Sequence, residues 1–223
     1  MPKIVTSLEA AKLIKSGDRV MFSGFLVVGA AESIIDSLVE IGTKDLHLIC
    51  IASDYETKGV GKLIVNNQIK SAQVSHLGTN KAMQAQMNSG QVAVEMVPQG
   101  TLMERIRAKG AGLGGILTPT GVGTIVEQGK DKFTIEGKDF ILETAISADF
   151  AVIKAHKADK QGNLVYCKTA RNSNPVMAMA GDITIVEVDE IVEVGELSPE
   201  EIITPGIFID YIVLKEGAKD GQK

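Results

Sequence analysis

The three glycines Gly110, Gly112 and Gly115 have the G-x-G-x-x-G spacing with which some proteins bind a dinucleotide. Such a site needs a strand before the glycines and a helix after them, so that free N–H groups meet the pyrophosphate. Here the helical segment LMERIRA precedes the glycines and Thr118-Pro119 follows them, where proline disfavours helix. A dinucleotide-binding oxidoreductase is therefore only an alternative. We expect the glycines to allow close backbone approach to a ligand or chain, or a tight connection between packed elements.

Residue types that often act as nucleophiles or metal ligands are few and scattered. Cys50 lies inside an apolar run and is expected in the core. Cys167 is far from Cys50 in sequence, and the two lack any metal-ligand spacing. His76 follows a predicted strand, but no carboxylate partner for a catalytic histidine is evident. The glycine-rich stretch Val97–Thr124 contains no strong nucleophile, and the sequence predicts no metal site.

Composition and charge limit the possible partners. The net charge is −5 and no long run of lysine or arginine occurs, which argues against the clustered cations of a nucleic-acid site. No stretch approaches the about 18 consecutive apolar residues of a membrane span. The N-terminus MPKIVTSLEAAKLIKSGD carries acids and lysines in place of the apolar core of a signal peptide. These features predict a cytoplasmic protein with reduced cysteines.

Two periodicities alternate along the first half of the chain. The capping box from Thr6 to Glu9 predicts a helix that ends near Gly17, and Arg19–Phe22 predicts a strand. After the turn SGFLVVGAA, the segment ESIIDSLVEIG has helical spacing and stops at Gly42, and DLHLICIA predicts another strand. The same rhythm repeats through SAQVSHLG, KAMQAQMNSG, QVAVEMVP and GTLMERIRAKG. The first half therefore predicts a largely parallel sheet covered by helices.

After Gly123 the pattern changes to strands with few helices between them. KFTIEGKDFILET predicts a hairpin around Gly137, and further strands are predicted in FAVIKAHKA, GNLVYC, DITIVEVDEIVEV and GIFIDYIVL. The charged tail, about residues 215–223, is predicted to fray. Residues 1–223 thus predict one α/β domain with a single open, largely parallel sheet flanked by helices and a β-rich second half.

Several long strings in one register resemble a known family. They are GKLIVNNQIK, VPQGTLMERIRAKGAGLGG, LTPTGVGT, KTARNSNP and ITPGIFIDYIV. In this order they resemble the A-type subunits of the family I (3-oxoacid) coenzyme A transferases, especially the butyrate/acetate–acetoacetate CoA-transferase alpha subunits, over nearly the whole chain. The resemblance implies an enzyme that exchanges CoA between a short-chain acyl-CoA and a free acid of the acetate, butyrate or acetoacetate class.

The resemblance also implies that two chains share the reaction. In this family a glutamate of the partner, the B-type subunit, attacks the thioester, and a glutamyl-CoA thioester forms in a ping-pong cycle. Gln99 matches the family glutamine whose side-chain amide donates a hydrogen bond to the developing oxyanion. A hetero-oligomer is implied, with CoA thioester as substrate and no tightly bound cofactor. From the residues alone, Gln99 could instead cap a helix that starts near Thr101.

The resemblance places CoA binding in the first βα turn. The residues implied are Gly24, Phe25, Leu26, Val27, Val28, Gly29 and Ala30. A loop between the carboxyl end of a strand and the N-terminus of a helix suits a polar ligand, because unpaired N–H groups point out there. Without the resemblance, the same residues could form only a turn between a strand and a helix.

The chain departs from the family pattern at several positions. Ser16, Ser23 and Ala31 stand where relatives have Asp or Asn, Gly and Pro. We expect the Cβ of Ser23 to narrow the approach and Ala31 to leave the start of the helix less rigid. Ile51 and Ala52 replace a polar Asn-Asn or Asn-Asp pair, which predicts an apolar acyl pocket that favours a plain group such as butyryl. A noncatalytic ligand-binding or regulatory relative stays an alternative.

Two further sets of side chains give weaker signals. Glu104, Arg105 and Arg107 predict a solvated or subunit-facing helix surface. The string Arg171-Asn172-Ser173-Asn174 matches the family sequence ARNFNP, with serine in place of phenylalanine. We expect this string either to order the floor of the active site or to form a turn before the following proline.

Overall fold

The structure, a computed structural model, describes residues 1–215. The predicted charged tail lies outside the described residues except for Lys215. The strands are β1 (Lys3–Val5), β2 (Arg19–Phe22), β3 (Leu46–Ala52), β4 (Ile69–His76), β5 (Ala93–Met96), β6 (Gly115–Thr118), β7 (Lys132–Ile135), β8 (Lys138–Thr144), β9 (Ala148–Asp159), β10 (Leu164–Val165), β11 (Gly181–Val192) and β12 (Tyr211–Leu214). The α-helices are α1 (Ser7–Leu13), α2 (Glu32–Ile41), α3 (Gly61–Val65), α4 (Lys81–Asn88), α5 (Gln99–Gly110) and α6 (Asn174–Ala178).

A nine-stranded sheet forms the centre of the fold, in the order β1-β12-β11-β9-β2-β3-β4-β5, with β10 beside β9. All neighbours along this order are parallel, whereas β10 runs antiparallel to β9. The predicted open, largely parallel sheet is confirmed. From β2 the chain adds strands first on one side and later on the other, so the order reverses between β2 and β9. Such a reversal leaves a crevice at the carboxyl ends of the strands.

Helices cover both faces of the sheet because side chains of a strand alternate between the faces. Val20 and Phe22 join the apolar cluster under α1 to α4, whereas Met21 joins the cluster under α5 and α6. Ile34 and Leu38 of α2 are 0% exposed, and burying each such side chain contributes roughly 1.5–3 kcal/mol. No helix within residues 1–215 is long and apolar enough to cross a membrane.

The predicted helix signals in the first half are confirmed. Thr6 and Glu9 form the capping box, in which Glu9 N donates to Thr6 Oγ1 over 3.2 Å and Thr6 N donates to the Glu9 carboxylate over 2.8 Å. α1 ends at Leu13, before the predicted Gly17. Gly42 ends α2 with a φ of 69°, the left-handed conformation that glycine adopts without strain.

The second half is β-rich, as predicted, but part of it leaves the main sheet. β6, β8 and β7 form a separate three-stranded antiparallel sheet. The predicted hairpin turns at Glu136 and Gly137, whose φ values are 51° and 75°. Two central residues with positive φ match the twist of the flanking strands, so this two-residue loop is compatible with a hairpin. That residues 1–223 form one domain stays a prediction.

The G-x-G-x-x-G glycines lie in the reverse of the order that a dinucleotide site needs. Gly110 is the last residue of α5 and Gly115 is the first residue of β6. A Cβ on Gly110 would lie 2.7 Å from the Cβ of Met179, and one on Gly115 would lie 2.5 Å from the carbonyl oxygen of Glu143. These two glycines therefore serve a tight connection between packed elements. The helix-before-strand order contradicts the dinucleotide alternative.

Candidate active site

A cavity of about 410 Å³ lies at the carboxyl ends of the strands. Its lining comes from four separate segments of the chain. The residues are Phe25, Val28, Ile51, Gln99, Met103, Thr169, Asn172 and Ser173. The loop after β2, the end of β3, the start of α5 and the segment before α6 thus meet in one place. The structure brings Gln99 together with part of the segment implied to bind CoA.

Gln99 is the first residue of α5, and Pro98 is the N-cap. The helix begins two residues earlier than Thr101, and no side-chain hydrogen bond caps it, so the capping alternative for Gln99 is wrong. The Gln99 side chain is exposed and makes no hydrogen bond within residues 1–215, which leaves its amide available to a ligand. The first turn of α5 also lines the cavity, and a helix N-terminus carries partial positive charge.

The first loop, residues 23–31, is folded as a narrow turn. Phe25 N donates to Val28 O over 3.0 Å, and Val28 N donates to Phe25 O over 3.1 Å. Between them, Leu26 and Val27 have φ values of 48° and 75°. A non-glycine residue in this region, above all a β-branched valine, is strained by roughly 1–3 kcal/mol and needs support from its surroundings. Hydrogen bonds from other segments of the chain provide this support.

Two asparagines of the matched string ARNSNP hold one side of the first loop. Asn172 Nδ2 donates to Val28 O over 2.8 Å, and Asn174 Nδ2 donates to Gly29 O over 3.2 Å. Asn174 is 0% exposed, and its Oδ1 accepts from Lys154 N over 2.7 Å. The string therefore orders the floor of the cavity, the first of the two predicted possibilities. The proline that follows lies in the first turn of α6, which begins at Asn174, and does not end a turn.

Ser23 and Ser173, both departures from the family pattern, also bind the first loop. Ser23 Oγ donates to Gly29 O over 3.1 Å, and Gly24 N donates to Ser173 Oγ over 3.2 Å. Ser23 does not line the cavity, and its side chain instead ties the two ends of the loop together. A Cβ on Gly29 would lie 2.5 Å from the carbonyl oxygen of Ala170, so glycine is required there.

Ala31 is the N-cap of α2 and makes no side-chain cap bond. A carboxylate from the neighbouring sheet takes the place of a cap, because Ser33 N donates to Glu187 over 2.8 Å. Glu187 of β11 is 0% exposed, and burial raises the pKa of this carboxyl above its usual range. The start of α2 is thus held from outside the helix, although it lacks the family proline.

Four of the side chains that line the cavity are apolar and form its apolar wall. Phe25 and Val28 of the first loop, Ile51 of β3 and Met103 of α5 supply it. Ala52, the other departure of this region, is 2% exposed and does not line the cavity. Ile51 therefore carries the expected apolar character of the pocket.

Asp54 is a buried carboxylate beside the site. It is 3% exposed, Oδ1 accepts from Val27 N over 2.9 Å, and Oδ2 accepts from Val60 N over 3.2 Å. Burial raises its pKa to about 6, although the two N–H groups oppose the rise and Glu32 adds to it slightly. Sequence reasoning gave Asp54 no role, because the contact with Val27 joins two loops that no local pattern connects.

Cys50 and His76 are the two other residues whose chemistry the sequence brought into question. Cys50 is 2% exposed, as predicted for the core, and burial raises the pKa of its thiol well above the usual range. The ring of His76 lies 6.5 Å from that of Phe25, and within the described residues His76 has no ion pair. A catalytic role for this histidine gains no support from these contacts.

The expected solvated surface of α5 is wrong for Arg105. Its side chain is buried, donates to Thr144 O over 2.8 Å and forms ion pairs with Glu95 at 2.8 Å and Glu143 at 3.5 Å. The small three-stranded sheet packs on this part of the helix and excludes water. The expectation is confirmed for Glu104 and Arg107, which form an exposed ion pair of 2.6 Å.

The parallel sheet and its cavity define an α/β protein with a ligand site beside a reversal of strand order. A free amide and an apolar wall meet at that candidate site, but no carboxylate, cysteine or histidine of residues 1–215 lines the cavity. The chain belongs to the coenzyme A transferase family, because the family model described as Coenzyme A transferase matches residues 5–215.

Relatives and solved structures agree with this assignment. The chain is 46% identical over 217 residues to the alpha subunit of the acetate CoA-transferase of Escherichia coli (strain K12), covering 97% of this chain and 99% of that protein. It is 43% identical over 211 residues to the acetoacetyl-CoA:acetate/butyrate CoA transferase alpha subunit of Clostridium acetobutylicum, covering 95% and 97%. These matches confirm the family resemblance seen in the sequence strings.

Two solved structures have the same fold. An acyl-CoA transferase from E. coli O157:H7 has a TM-score of 0.84 at 21% identity, covering 98% of this chain and 48% of that chain. The present chain thus spans about half the length of that transferase. Glutaconate coenzyme A-transferase from Acidaminococcus fermentans has a TM-score of 0.83 at 20% identity, covering 95% and 75%.

Proposed function

We propose that this chain is the A-type subunit of a heteromeric CoA-transferase that exchanges CoA between a short-chain acyl-CoA and a free carboxylic acid. The observation that carries the proposal is the shared cavity of about 410 Å³, which joins the free amide of Gln99 to the first loop. The relatives named as acetate and acetate/butyrate CoA-transferase alpha subunits support the same activity and class of acid. A cytoplasmic location remains part of the proposal.

The cavity fits a site that a second chain completes. Among the described residues that line it there is no carboxylate or cysteine, and the hydroxyl of Ser173 is engaged with Gly24 N. The family resemblance implies a glutamate of the B-type subunit as the nucleophile, and a lining without carboxylate or cysteine fits that role for the partner. The relatives are themselves named as single subunits of their enzymes, which supports such a partner.

The reaction proceeds in two half-cycles. The partner's glutamate attacks the thioester carbon, the C–S bond breaks, and CoA thiolate leaves an acyl-glutamyl anhydride. The thiolate then attacks the glutamyl carbonyl, which releases the free acid and leaves a glutamyl-CoA thioester. The acceptor acid reverses these steps and leaves as the new acyl-CoA. No tightly bound cofactor takes part, since CoA thioester is the substrate.

Gln99 acts on the tetrahedral intermediates of these steps. Each attack moves negative charge onto a carbonyl oxygen, and a fixed donor aimed at that oxygen lowers the barrier by about 3–4 kcal/mol. The Gln99 amide is exposed to the cavity and free of other hydrogen bonds within residues 1–215. Its place in the first turn of a long helix fixes its backbone, so that little reorganisation is needed at the moment of reaction.

The first loop is assigned to CoA. Within the described residues, the N–H groups of Leu26 and Gly29 have no partner, whereas those of the other loop residues from Gly24 to Ala30 are engaged. Two free N–H groups on a rigid turn can bind polar atoms of the pantetheine or the phosphates. Phe25 and Val28 then pack their side chains against the acyl part of the substrate.

The test is reconstitution with a B-type subunit. The chain alone is expected to transfer no CoA between butyryl-CoA and acetate, and the mixture of the two subunits is expected to do so. A single-turnover reaction with acyl-CoA should leave a CoA thioester on the partner's glutamate, detectable by mass. A mixture that binds acyl-CoA but transfers nothing would favour the noncatalytic alternative, and activity of the chain alone would overturn the division of labour.

A further inference from the structure

The loop after β3 resembles the first loop. We define this second loop as residues 53–60, which begin with SDYETKG where the first loop begins with SGFLVVG. Tyr55 and Lys58 pair across a turn, with Lys58 N donating to Tyr55 O over 3.0 Å, as Phe25 pairs with Val28. Asp54 takes the place of Gly24 and has a φ of 52°. A carboxylate thus occupies a backbone conformation that usually favours glycine.

Asp54 connects the two loops through their main chains. One carboxylate oxygen accepts from Val27 N of the first loop, at the most strained residue of its turn, over 2.9 Å. The other accepts from Val60 N of its own loop over 3.2 Å. A Cβ on Gly59 would lie 2.0 Å from Oδ2, so the second loop closes tightly around the carboxylate. The group is 3% exposed, and water does not compete for these bonds.

The connection is reciprocal. Glu32, at the start of the helix that follows the first loop, accepts from Gly59 N of the second loop over 2.8 Å. The same carboxylate pairs with Lys62 of α3, which also pairs with Asp36. Asp54 of the second loop therefore binds the backbone of the first loop, and Glu32, which follows the first loop, binds the backbone of the second. Two carboxylates thus connect the loops, and of these two it is Asp54 that binds the strained turn at Val27.

We propose that Asp54 is a positioning residue, which holds the first loop in the shape that presents Phe25, Val28 and the free N–H groups to the substrate. This inference rests on the proposed CoA-transferase function only for the link between loop shape and rate. Without the carboxylate, the N–H of Val27 loses its acceptor and the left-handed turn loses the support that offsets its strain. The loop then relaxes toward ordinary backbone angles and moves its side chains away from the cavity.

The role requires the ionised carboxylate. Protonation removes the charge and makes one oxygen an O–H donor and a poor acceptor, so one of the two bonds from an N–H group is strongly weakened. The titratable groups that face Asp54 are Glu32 of α2 and the buried thiol of Cys50 of β3. From the turn before α4, Thr79 binds the carbonyl oxygen of Asp54 through a neutral hydroxyl. Glu32 is itself paired with Lys62, which limits its repulsion of the Asp54 charge.

The test compares Asp54→Asn with Asp159→Asn in the reconstituted pair. Asp159 is 2% exposed and accepts from Gln161 N over 3.0 Å and Asn163 N over 2.9 Å, in a turn that does not line the cavity. Both variants remove a buried charge and one acceptor oxygen. In Asp159 the two N–H groups share Oδ1, and Oδ2 accepts from Asn163 Nδ2 over 2.8 Å. At pH 7.5 we expect Asp54→Asn to lower kcat/KM for acyl-CoA by about 10- to 100-fold, because small misplacements of reacting groups have effects of this size. Asp159→Asn should stay within about twofold of the unaltered pair.

The pH profile and a direct view of the loop separate positioning from general stability. The unaltered pair should lose kcat/KM as the pH falls below about 6, and Asp54→Asn should lack this acid limb. Hydrogen exchange on the unaltered full chain should show weaker protection of the Val27 amide at pH 5 than at pH 7.5, which requires neither a variant nor transfer activity. Unchanged protection, or full activity of Asp54→Asn, would overturn the proposal. A pair that transfers no CoA at all would sink only the proposed function.

Discussion

Asn172 donates a hydrogen bond of 2.8 Å to the carbonyl oxygen of Val28, 144 residues earlier in the chain. Both residues line the same cavity. The amide of Asn172 therefore holds the first loop at the carbonyl oxygen of Val28, and the carboxylate of Asp54 holds the same loop at Val27 N. Asp54 belongs to the first half of the chain and Asn172 to the second. The conformation of the first loop therefore depends on contacts with both halves.

Replacing Gln99 by alanine should slow turnover without preventing binding. We expect Gln99→Ala to lower kcat about 10²- to 10³-fold, with little change in KM, because the lost donor acts on the oxyanion and not on the ground state. Gln128→Ala is the control, since Gln128 is exposed and does not line the cavity. Steady-state rates of the reconstituted pair measure both. Undiminished turnover in Gln99→Ala would remove the oxyanion role.

The apolar wall should set the choice of acyl group. With Ile51 in place, butyryl-CoA is expected to be a faster donor than succinyl-CoA, because the second carboxylate of succinate would lose water and gain no partner. Ile51→Asn should shift the ratio of kcat/KM values toward succinyl-CoA by about tenfold. Ile51→Val, which keeps the wall apolar, is the matched control. A faster reaction with succinyl-CoA in the unaltered pair would contradict this account.

Arg105 should matter for stability far more than its neighbour Arg107 on the same helix. Arg105→Ala leaves Glu143, whose side chain is 2% exposed, without one of its two cations, and we expect the free energy of unfolding to fall by about 3 kcal/mol. Arg107→Ala breaks an exposed pair, which solvent screens, and should leave the free energy of unfolding nearly unchanged. Urea unfolding of the full chain measures both values. Equal losses would mean that the burial of Arg105 is not what stabilises the contact.

The raised pKa of Asp54 makes stability depend on pH in a defined direction. Since the pKa rises from 3.8 to about 6 on folding, the folded state holds the proton between these values. This contribution favours the folded state as a whole in acid and is lost as the pH rises through about 6. The local bond from Val27 N acts in the opposite direction, because it lowers the pKa and is strongest when the carboxylate is ionised. Relative to Asp54→Asn, which does not titrate, the unaltered chain should lose about 2 to 3 kcal/mol of unfolding free energy between pH 4 and pH 8. A difference that stays constant with pH would refute the assignment.

Local signals were sufficient for most of the fold. The capping box at Thr6, the glycine stop at Gly42 and the turn at Gly137 mark boundaries through their own backbone chemistry, and the structure has them there. The helices α3 and α6 were not predicted, because five residues are too few to show a helical period. The prediction that Arg105 is solvated was wrong, because a sequence does not show that another element, here the small three-stranded sheet, covers that part of the helix.

Less of the candidate site could be predicted from residue chemistry alone. Gln99 and the first loop entered through family resemblance, since neither carries a charge or a nucleophile that marks it as functional. Nothing in the local sequence predicts the contact between Asp54 and Val27, which depends on how two adjacent strands end. Distances between loops are set by sheet register, which a single sequence does not reveal.

The pairing of β2 with β9 has a consequence for biosynthesis. Val20 lies beside Leu48 of β3 on one side and beside Phe150 of β9 on the other, so β2 gains its second neighbour only after about 130 further residues have left the ribosome. Long-range parallel pairing is slow to form, and the edge of β2 stays open to other chains meanwhile. The cavity should therefore be among the last parts of the molecule to fold. A nascent chain stalled before β9 would expose the unpaired edge of β2 to a chaperone.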